Sequence, residues 1–344
     1  MRLVVGFVLL AGLAVLPACA PTPEPPGTRH RVAAEQLAMG SLLRLTAWTA
    51  DEPAARAAFA AVFAEFDRLD GLLSVWRPGS DVLRLNAAAG RGAVPVHEDT
   101  RRVLEAARQV SEWTDGAFDV TFGALADVWR FDHDQDDRVP TAAEIAARQP
   151  LVDYRQVRVD PGPGTAAIGR AGMRVHLGGI GKGYAVDRAI ALLRQAGLSD
   201  FLIQAGGDLY VAGRDGERPW HLGIQDPRGP AEAVFATLDL TDATLSTSGD
   251  YERFFERDGV RYHHILDPAT GQPARGCRSV TIVSRTATVA DGLSTGVFIL
   301  GPDKGLALAE RLPDVEALIV AADNRVLVSS GLRQRLSISR PPTP

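Results

Sequence analysis

Three groups of residues in this chain have the types and spacing to do chemistry. The first is Gly178-Gly179-Ile180-Gly181-Lys182-Gly183, where four glycines in six residues let backbone N–H groups come close to an anion. A helix opening at that point would add positive potential from its N-terminus. Lys182 can add a point charge, and it stands out because only Lys304 accompanies it in a chain whose cations are otherwise arginine. Gly183 occupies the place where a P-loop needs serine or threonine, and the glycine spacing is not the dinucleotide fingerprint of a nicotinamide-binding fold. A tight packing turn with an exposed lysine is the plainer alternative. The second group is Asp291 and Thr295. On a helix over Ala287 to Leu300 their i, i+4 spacing puts a carboxylate and a hydroxyl on one face, both hard oxygen donors of the kind magnesium takes. The alternative is a solvated aspartate beside a threonine bonded back to its own helix. The third is Tyr262-His263-His264-Ile265-Leu266-Asp267-Pro268, whose histidines suit phosphate contact, proton transfer or a structural place on a strand. Thr247-Ser248-Gly249-Asp250-Tyr251 and Ala205-Gly206-Gly207-Asp208 are polar turns that suit ligand contact and equally read as hairpins.

The elements that must position these groups follow from periodicity. A strand is predicted over Leu42–Trp48, after the turn-like Met39-Gly40-Ser41. Pro53–Leu72 carries Phe59, Val62, Phe63, Phe66, Leu69 and Leu72 at helical spacing, and Thr100–Thr114 repeats the pattern, ended by Gly116. The glycine loop reads as the link between a strand over Met173–Leu177 and a helix over Tyr184–Ala196. Strands then dominate, at Phe201–Gln204, Leu209–Ala212, Trp220–Gln225, Ala233–Leu238, Ala243–Ser246 and Tyr262–Leu266, and a strand-helix-strand stretch runs from Ser279 to Val328. The mixture predicts a single large α+β domain with a mixed, largely antiparallel sheet flanked by helices.

With 344 residues, 46% of them apolar, the chain can bury a sizeable core. A net charge of −5, without basic stretches interleaved with aromatics, excludes a nucleic-acid footprint. Arg2, the apolar run Leu3–Leu16 and Leu16-Pro17-Ala18-Cys19 read as an export signal with a lipobox-like end, so Cys19 is the expected lipid anchor. An ordinary signal cleaved near Ala18 or Ala20 is the alternative. The expected organisation is a lipoprotein signal peptide over 1–18, a proline-rich membrane tether over 19–34, one domain over 35–335 and a flexible tail over 336–344. With Cys19 acylated, Cys277 has no intrachain partner and reads as a buried or incidental thiol.

Taken in order, the motifs resemble the ApbE family of FAD:protein FMN transferases from Met39 to about Gly301. The matching stretches are Ala38-Met39-Gly40-Ser41, Leu73-Ser74-Val75-Trp76, Ser80-Asp81-Val82 ending in Leu85-Asn86, and Thr114 to Thr121. They continue through Leu177 to Asp187, Ala205 to Leu209, Thr247 to Tyr251, His264 to Pro268 with Thr270-Gly271, and Ala290 to Thr295. The resemblance implies FAD in a cleft and magnesium held by Asp291, Thr295 and the backbone carbonyl of Gly179. It implies cofactor contacts from Met39, Trp76, Ala117, Phe118, Asp119, His176, Lys182, Ser248, Gly249 and His264, with His264 or Asp250 taking the proton from the attacking hydroxyl. Trp76 stands where the family often has tyrosine, Gly292 where it has alanine, and His176 where it usually has aspartate. The implied reaction passes the FMN half of FAD to a threonine or serine of another protein and releases AMP. The implied acceptors carry a Ser/Thr-Gly-Ala-Ser/Thr-type motif and include subunits of sodium-pumping quinone reductase and Rnf-type complexes. The same residues fit an FAD pyrophosphatase giving FMN and AMP, and a non-catalytic FAD-binding lipoprotein. The expected location is the membrane surface, facing the periplasm.

Overall fold

The computed structural model describes residues 27–344 apart from Ala231. The signal peptide, Cys19 and the start of the tether lie outside the described residues. The chain opens with β1 (His30–Ala38) and β2 (Ser41–Thr49), joined through Met39 and Gly40, both with positive φ. α1 (Glu52–Leu73) follows, with Asp51 accepting the Ala54 amide as N-cap and Phe59, Val62, Phe66, Leu69 and Leu73 buried on one face. Next come α2 (Asp81–Ala87), α3 (Glu98–Trp113) and α4 (Ala142–Arg148), and then the glycine loop leads into α5 (Gly181–Gln195). The strands are β3 (Phe201–Ala205), β4 (Asp208–Ala212), β5 (Trp220–Gln225), β6 (Val234–Leu240), β7 (Ala243–Gly249), β8 (Phe254–Arg257), β9 (Val260–His263) and β10 (Cys277–Ser284). α6 (Ala287–Leu300), α7 (Pro302–Ala309), β11 (Glu316–Ala321), β12 (Val326–Val328) and β13 (Leu336–Ile338) follow, and short strands at Val94–Pro95, Val157–Asp160 and Thr165–Ile168, and at Leu266–Asp267 and Gln272–Pro273, form two minor sheets.

The main sheet has eight strands in the order β1-β2-β3-β4-β7-β10-β11-β12, and every neighbouring pair is antiparallel. Its strands alternate by the period of two. Leu43, Leu45, Ile203, Val280 and Ile282 join the core under α1, α5 and α6. Val211, Leu245, Val283 and Leu318 join a second core with Trp220, Phe235 and Leu238 of the three-stranded sheet β13-β6-β5. The α+β expectation therefore holds, with helices on one face of the large sheet and the small sheet on the other.

Three expectations are corrected. Residues 30–34, assigned to the tether, are paired along β2 from His30↔Thr49 onward. Residues 336–344 are no free tail, because β13 pairs with β6 and Thr343 donates to Asp226 from both its amide and its hydroxyl. Met173–Leu177 forms no strand; only Arg174 bridges, to Phe122. The side chain of Asn86 takes the place of a partner strand, accepting the Val175 amide at 2.7 Å and donating to the Val175 carbonyl at 2.9 Å. An asparagine amide offers a backbone-like donor and acceptor, so the segment is satisfied without joining a sheet.

Candidate active site

Asn86 thus fixes the chain just ahead of the glycine loop, and the His176 amide is held by the Val120 carbonyl at 2.8 Å. His176 turns back onto the loop, its Nδ1 accepting the Gly178 amide at 3.0 Å. Burial pushes its pKa down to about 4, which keeps the ring neutral and able to accept. α5 begins at Gly181 with no side-chain cap of its own.

α6 is placed against this loop by contacts that cross between the two helices. Asp187 of α5 accepts the amides of Ala287 and Thr288, each at 2.9 Å, so α6 borrows its N-terminal cap from α5. One turn later, Asp291 Oδ2 accepts the Gly183 amide at 2.9 Å. A side chain at Gly183 would put its Cβ 2.3 Å from the Ala287 carbonyl oxygen, so only glycine permits this approach. Thr295 lies on the same face of α6, beside the loop: a Cβ built on Gly179 would sit 3.5 Å from Thr295 Oγ1 and 3.4 Å from the Phe118 ring. The predicted metal set of Gly179, Asp291 and Thr295 is therefore brought together.

The sheet supplies the opposite wall. Lys182 pairs with Asp208 of β4 at 3.0 Å. Burial opposes the charge on Lys182, but Asp208 and then Asp291 outweigh it and hold the ammonium above its usual range. Burial, and then the charge of Asp208, push Asp291 up to about 7 against the pull of Lys182. Ser248 Oγ, on β7, is 2.8 Å from Ser294 Oγ and 3.2 Å from Thr295 Oγ1. Gly249 follows it, with the Tyr251 ring lying directly over the space a side chain would need.

The remaining predicted residues divide. Met39 reaches Gly181, its Cε 3.9 Å from where a Cβ would be. Trp76 is half exposed, and the edge of His133 meets it at 4.3 Å between centroids. Ala117 and the buried Phe118 form the turn after α3, anchored on Thr114. His264 receives two contacts from the Arg253 carbonyl, its own amide donating at 3.1 Å and its Nδ1 lying 3.3 Å away. Burial, then the nearby Arg253 charge, lowers its pKa well below the ordinary value, so the ring is neutral. Two carboxylates are held by partners within the protein. Asp119 accepts from Thr121 and the Tyr154 amide and so braces the turn. Asp250 takes a bidentate pair with Arg228 at 2.7 and 2.6 Å.

Asp187, Asp208, Asn86 and His133 carry parts of this arrangement that the sequence reading did not assign. Asp187 and Asp208 lie inside stretches already singled out, and their roles depend on partners far along the chain. His133 lies in a segment with no periodicity, which Trp129 and Phe131 pin onto Phe255 and Tyr262 of the β8–β9 hairpin.

The donor set suits a hard cation. Asp291, Asp208, Thr295 and Ser248 present only oxygens, and the hydroxyl of Ser246, paired across from Asp208, is buried without a partner. Among the described residues no group of three His, Cys, Asp or Glu side chains could hold a metal ion. A magnesium here would therefore take its remaining oxygens from hydroxyl, carbonyl, water and the phosphates of a substrate, which is its common manner of binding.

Fold and site together define an α+β domain whose centre, between two helices and a sheet, gathers a glycine loop, a buried lysine and a set of hard oxygen donors. The ApbE family model matches residues 39–319, and the chain belongs to that family. It is 36% identical over 320 residues to a Treponema pallidum protein named FAD:protein FMN transferase, covering 88% of each chain. It is similar to the solved ApbE protein of Thermotoga maritima, with TM-score 0.82 and 34% identity over 89% of this chain and 99% of that one. The flavin transferase ApbE from Vibrio cholerae matches with TM-score 0.80 and 27% identity over the same shares.

Proposed function

We propose that this protein transfers FMN from FAD to a serine or threonine hydroxyl of a second protein, with magnesium held by Asp291, Thr295 and the Gly179 carbonyl. The observation that carries this reading is the seating of Asp291 and Thr295 on one face of α6 directly against the glycine loop. Family membership and the shared name of the relatives support the FAD and protein halves of the reaction.

Lys182 holds the pyrophosphate against the glycine loop, and Asp208 fixes the Lys182 ammonium in place. A magnesium held by the Asp291, Thr295 and Gly179 oxygens would neutralise the charge that develops on the phosphate oxygens. Met39, Trp76 and Phe118 orient the rest of the dinucleotide. His264 accepts the proton of the attacking hydroxyl. The hydroxyl oxygen bonds to the FMN phosphorus, the phosphorus–oxygen bond to AMP breaks, and AMP leaves with the electron pair. Positioning and charge neutralisation provide most of the rate, as in other phosphoryl transfers. Asp250, held by Arg228, is the second candidate for the hydroxyl proton.

The acceptor carries a Ser/Thr-Gly-Ala-Ser/Thr-type motif, as in quinone reductase or Rnf-type subunits, and the protein is anchored through Cys19 at the periplasmic membrane surface. The Leu3–Leu16 run and the Pro17-Ala18-Cys19 end support the anchor. The test is to incubate the protein with FAD, magnesium and an acceptor bearing the motif, and then weigh the acceptor. A gain of one FMN is expected. An unmodified acceptor with free FMN and AMP in solution would replace the transferase with a pyrophosphatase.

A further inference from the structure

A second pocket, of about 210 Å³, lies behind the catalytic wall and is lined by Arg228, Arg261, Arg275 and Arg278 together with Asp250 and His263. It shares its wall with the active site: Ser248 faces Thr295 while Asp250, two residues on, lines the pocket, and His264 lies near Lys182 while the adjoining His263 lines the pocket. The charges do not balance. Arg228 takes Asp250 in a bidentate pair, and Arg261 reaches Asp250 at 3.7 Å and Glu256 at 3.0 Å. Among the described residues no carboxylate pairs within 4.0 Å with Arg275 or Arg278. Arg278 donates instead to the Ala322 and Thr343 carbonyls at 3.2 and 3.0 Å and the Asn324 side chain at 2.9 Å, and Arg275 donates to the Arg261 carbonyl and lies over the Tyr262 ring.

The other linings add no compensating charge. Burial pushes the Cys277 thiol up to about 12 and the His263 imidazole down to about 4, so both are neutral near pH 7. Burial and the neighbouring Arg228 together press down on the Arg278 pKa, as expected where guanidinium groups are crowded and short of anions. Planar guanidinium forks match the oxygens of a carboxylate or a phosphate, and two of the four here have donors uncommitted to any acid.

We propose that this pocket is an oxyanion-binding site separate from the dinucleotide cleft, taking one carboxylate or phosphate group on Arg275 and Arg278 with Arg228 and Arg261 behind them. The group comes from an acidic side chain of a second protein or from free phosphate. The inference stands on the pocket itself and does not depend on the transfer reaction.

The test is a calorimetric titration of the full chain, pre-loaded with FAD and free of magnesium, with inorganic phosphate. Saturable binding is expected, weakened roughly tenfold or more in Arg278→Gln, the size of one lost charge-assisted contact. Arg278 also ties the C-terminal residues, so Arg275→Gln, at the rim, carries the test if Arg278→Gln fails to fold. Unchanged FAD affinity in Arg275→Gln shows that the loss is local. An aspartate-containing peptide that displaces the phosphate, where its asparagine counterpart does not, identifies the source as a side chain; phosphate binding without displacement identifies free phosphate. Absence of saturable phosphate binding, binding as tight as wild type in both variants, or phosphate that binds only when FAD is omitted would each overturn the proposal.

Discussion

The Gly183 amide donates to Asp291 Oδ2 at 2.9 Å, while the Gly183 α-carbon faces the Ala287 carbonyl with no room for a methyl group. One residue type therefore sets both the closeness of α5 to α6 and the aim of the carboxylate at the centre of the site. Gly183→Ala would place a Cβ 2.7 Å from Asp291 Cβ as well as against the carbonyl. The expected cost is about 1–3 kcal/mol, as for overpacking elsewhere. A thermal melt of this variant should fall below wild type, and its magnesium affinity should fall with it.

Asp187→Ala removes the cap that α5 lends to α6 and leaves the Ala287 and Thr288 amides without their acceptor. Stability should drop by roughly 1–2 kcal/mol. Urea unfolding reads this directly, and a midpoint equal to wild type would show that water or a local turn replaces the cap.

The raised pKa of Asp291, about 7, makes cation binding depend on pH. A metal ligand must be ionised, so magnesium affinity should climb as pH rises through about 7 and level off above it. Asp291→Asn should abolish this dependence. In the metal-free protein the sign for stability is opposite: the folded chain keeps a proton that the unfolded chain releases near the ordinary carboxylate value. The stabilisation from this group is therefore full below that value and is lost as pH rises through about 7.

His264 is neutral and placed by the Arg253 carbonyl, so His264→Ala should reduce transfer by about 10²–10⁴-fold, the usual worth of a positioned general base. FAD affinity, measured by quenching of flavin fluorescence, should change little. A large loss of FAD affinity at unchanged turnover would assign the ring to binding.

His176→Ala leaves the Gly178 amide without its acceptor at the head of the loop. FAD affinity should fall by about 1 kcal/mol. Equal affinity would mean that the loop holds its shape without the imidazole.

Much of this was legible before any coordinates. A helix over Ala287–Leu300 was the condition on which Asp291 and Thr295 share a face, with Gly292 and Gly296 against it, and α6 meets that condition. The structure explains those glycines: a Cβ at Gly296 would strike Thr114 at 2.6 Å, so the helix gives up propensity for close packing on α3. Local pattern could not reveal the replacement of a strand partner by Asn86, the cap given by Asp187, or the pairing of Lys182 with Asp208. Each joins residues distant in sequence, and the asparagine and aspartates involved look locally like ordinary turn or surface residues. The pairing of Asp250 with Arg228 was hidden for the same reason, since Arg228 comes from another loop.

The most direct measurement counts AMP released and FMN bound to the acceptor in the same reaction. The account predicts one AMP for each flavinylated acceptor, and neither product with Asp291→Asn or after chelation of magnesium. AMP that accumulates while the acceptor stays bare, or full transfer by the Asp291→Asn variant, would contradict it.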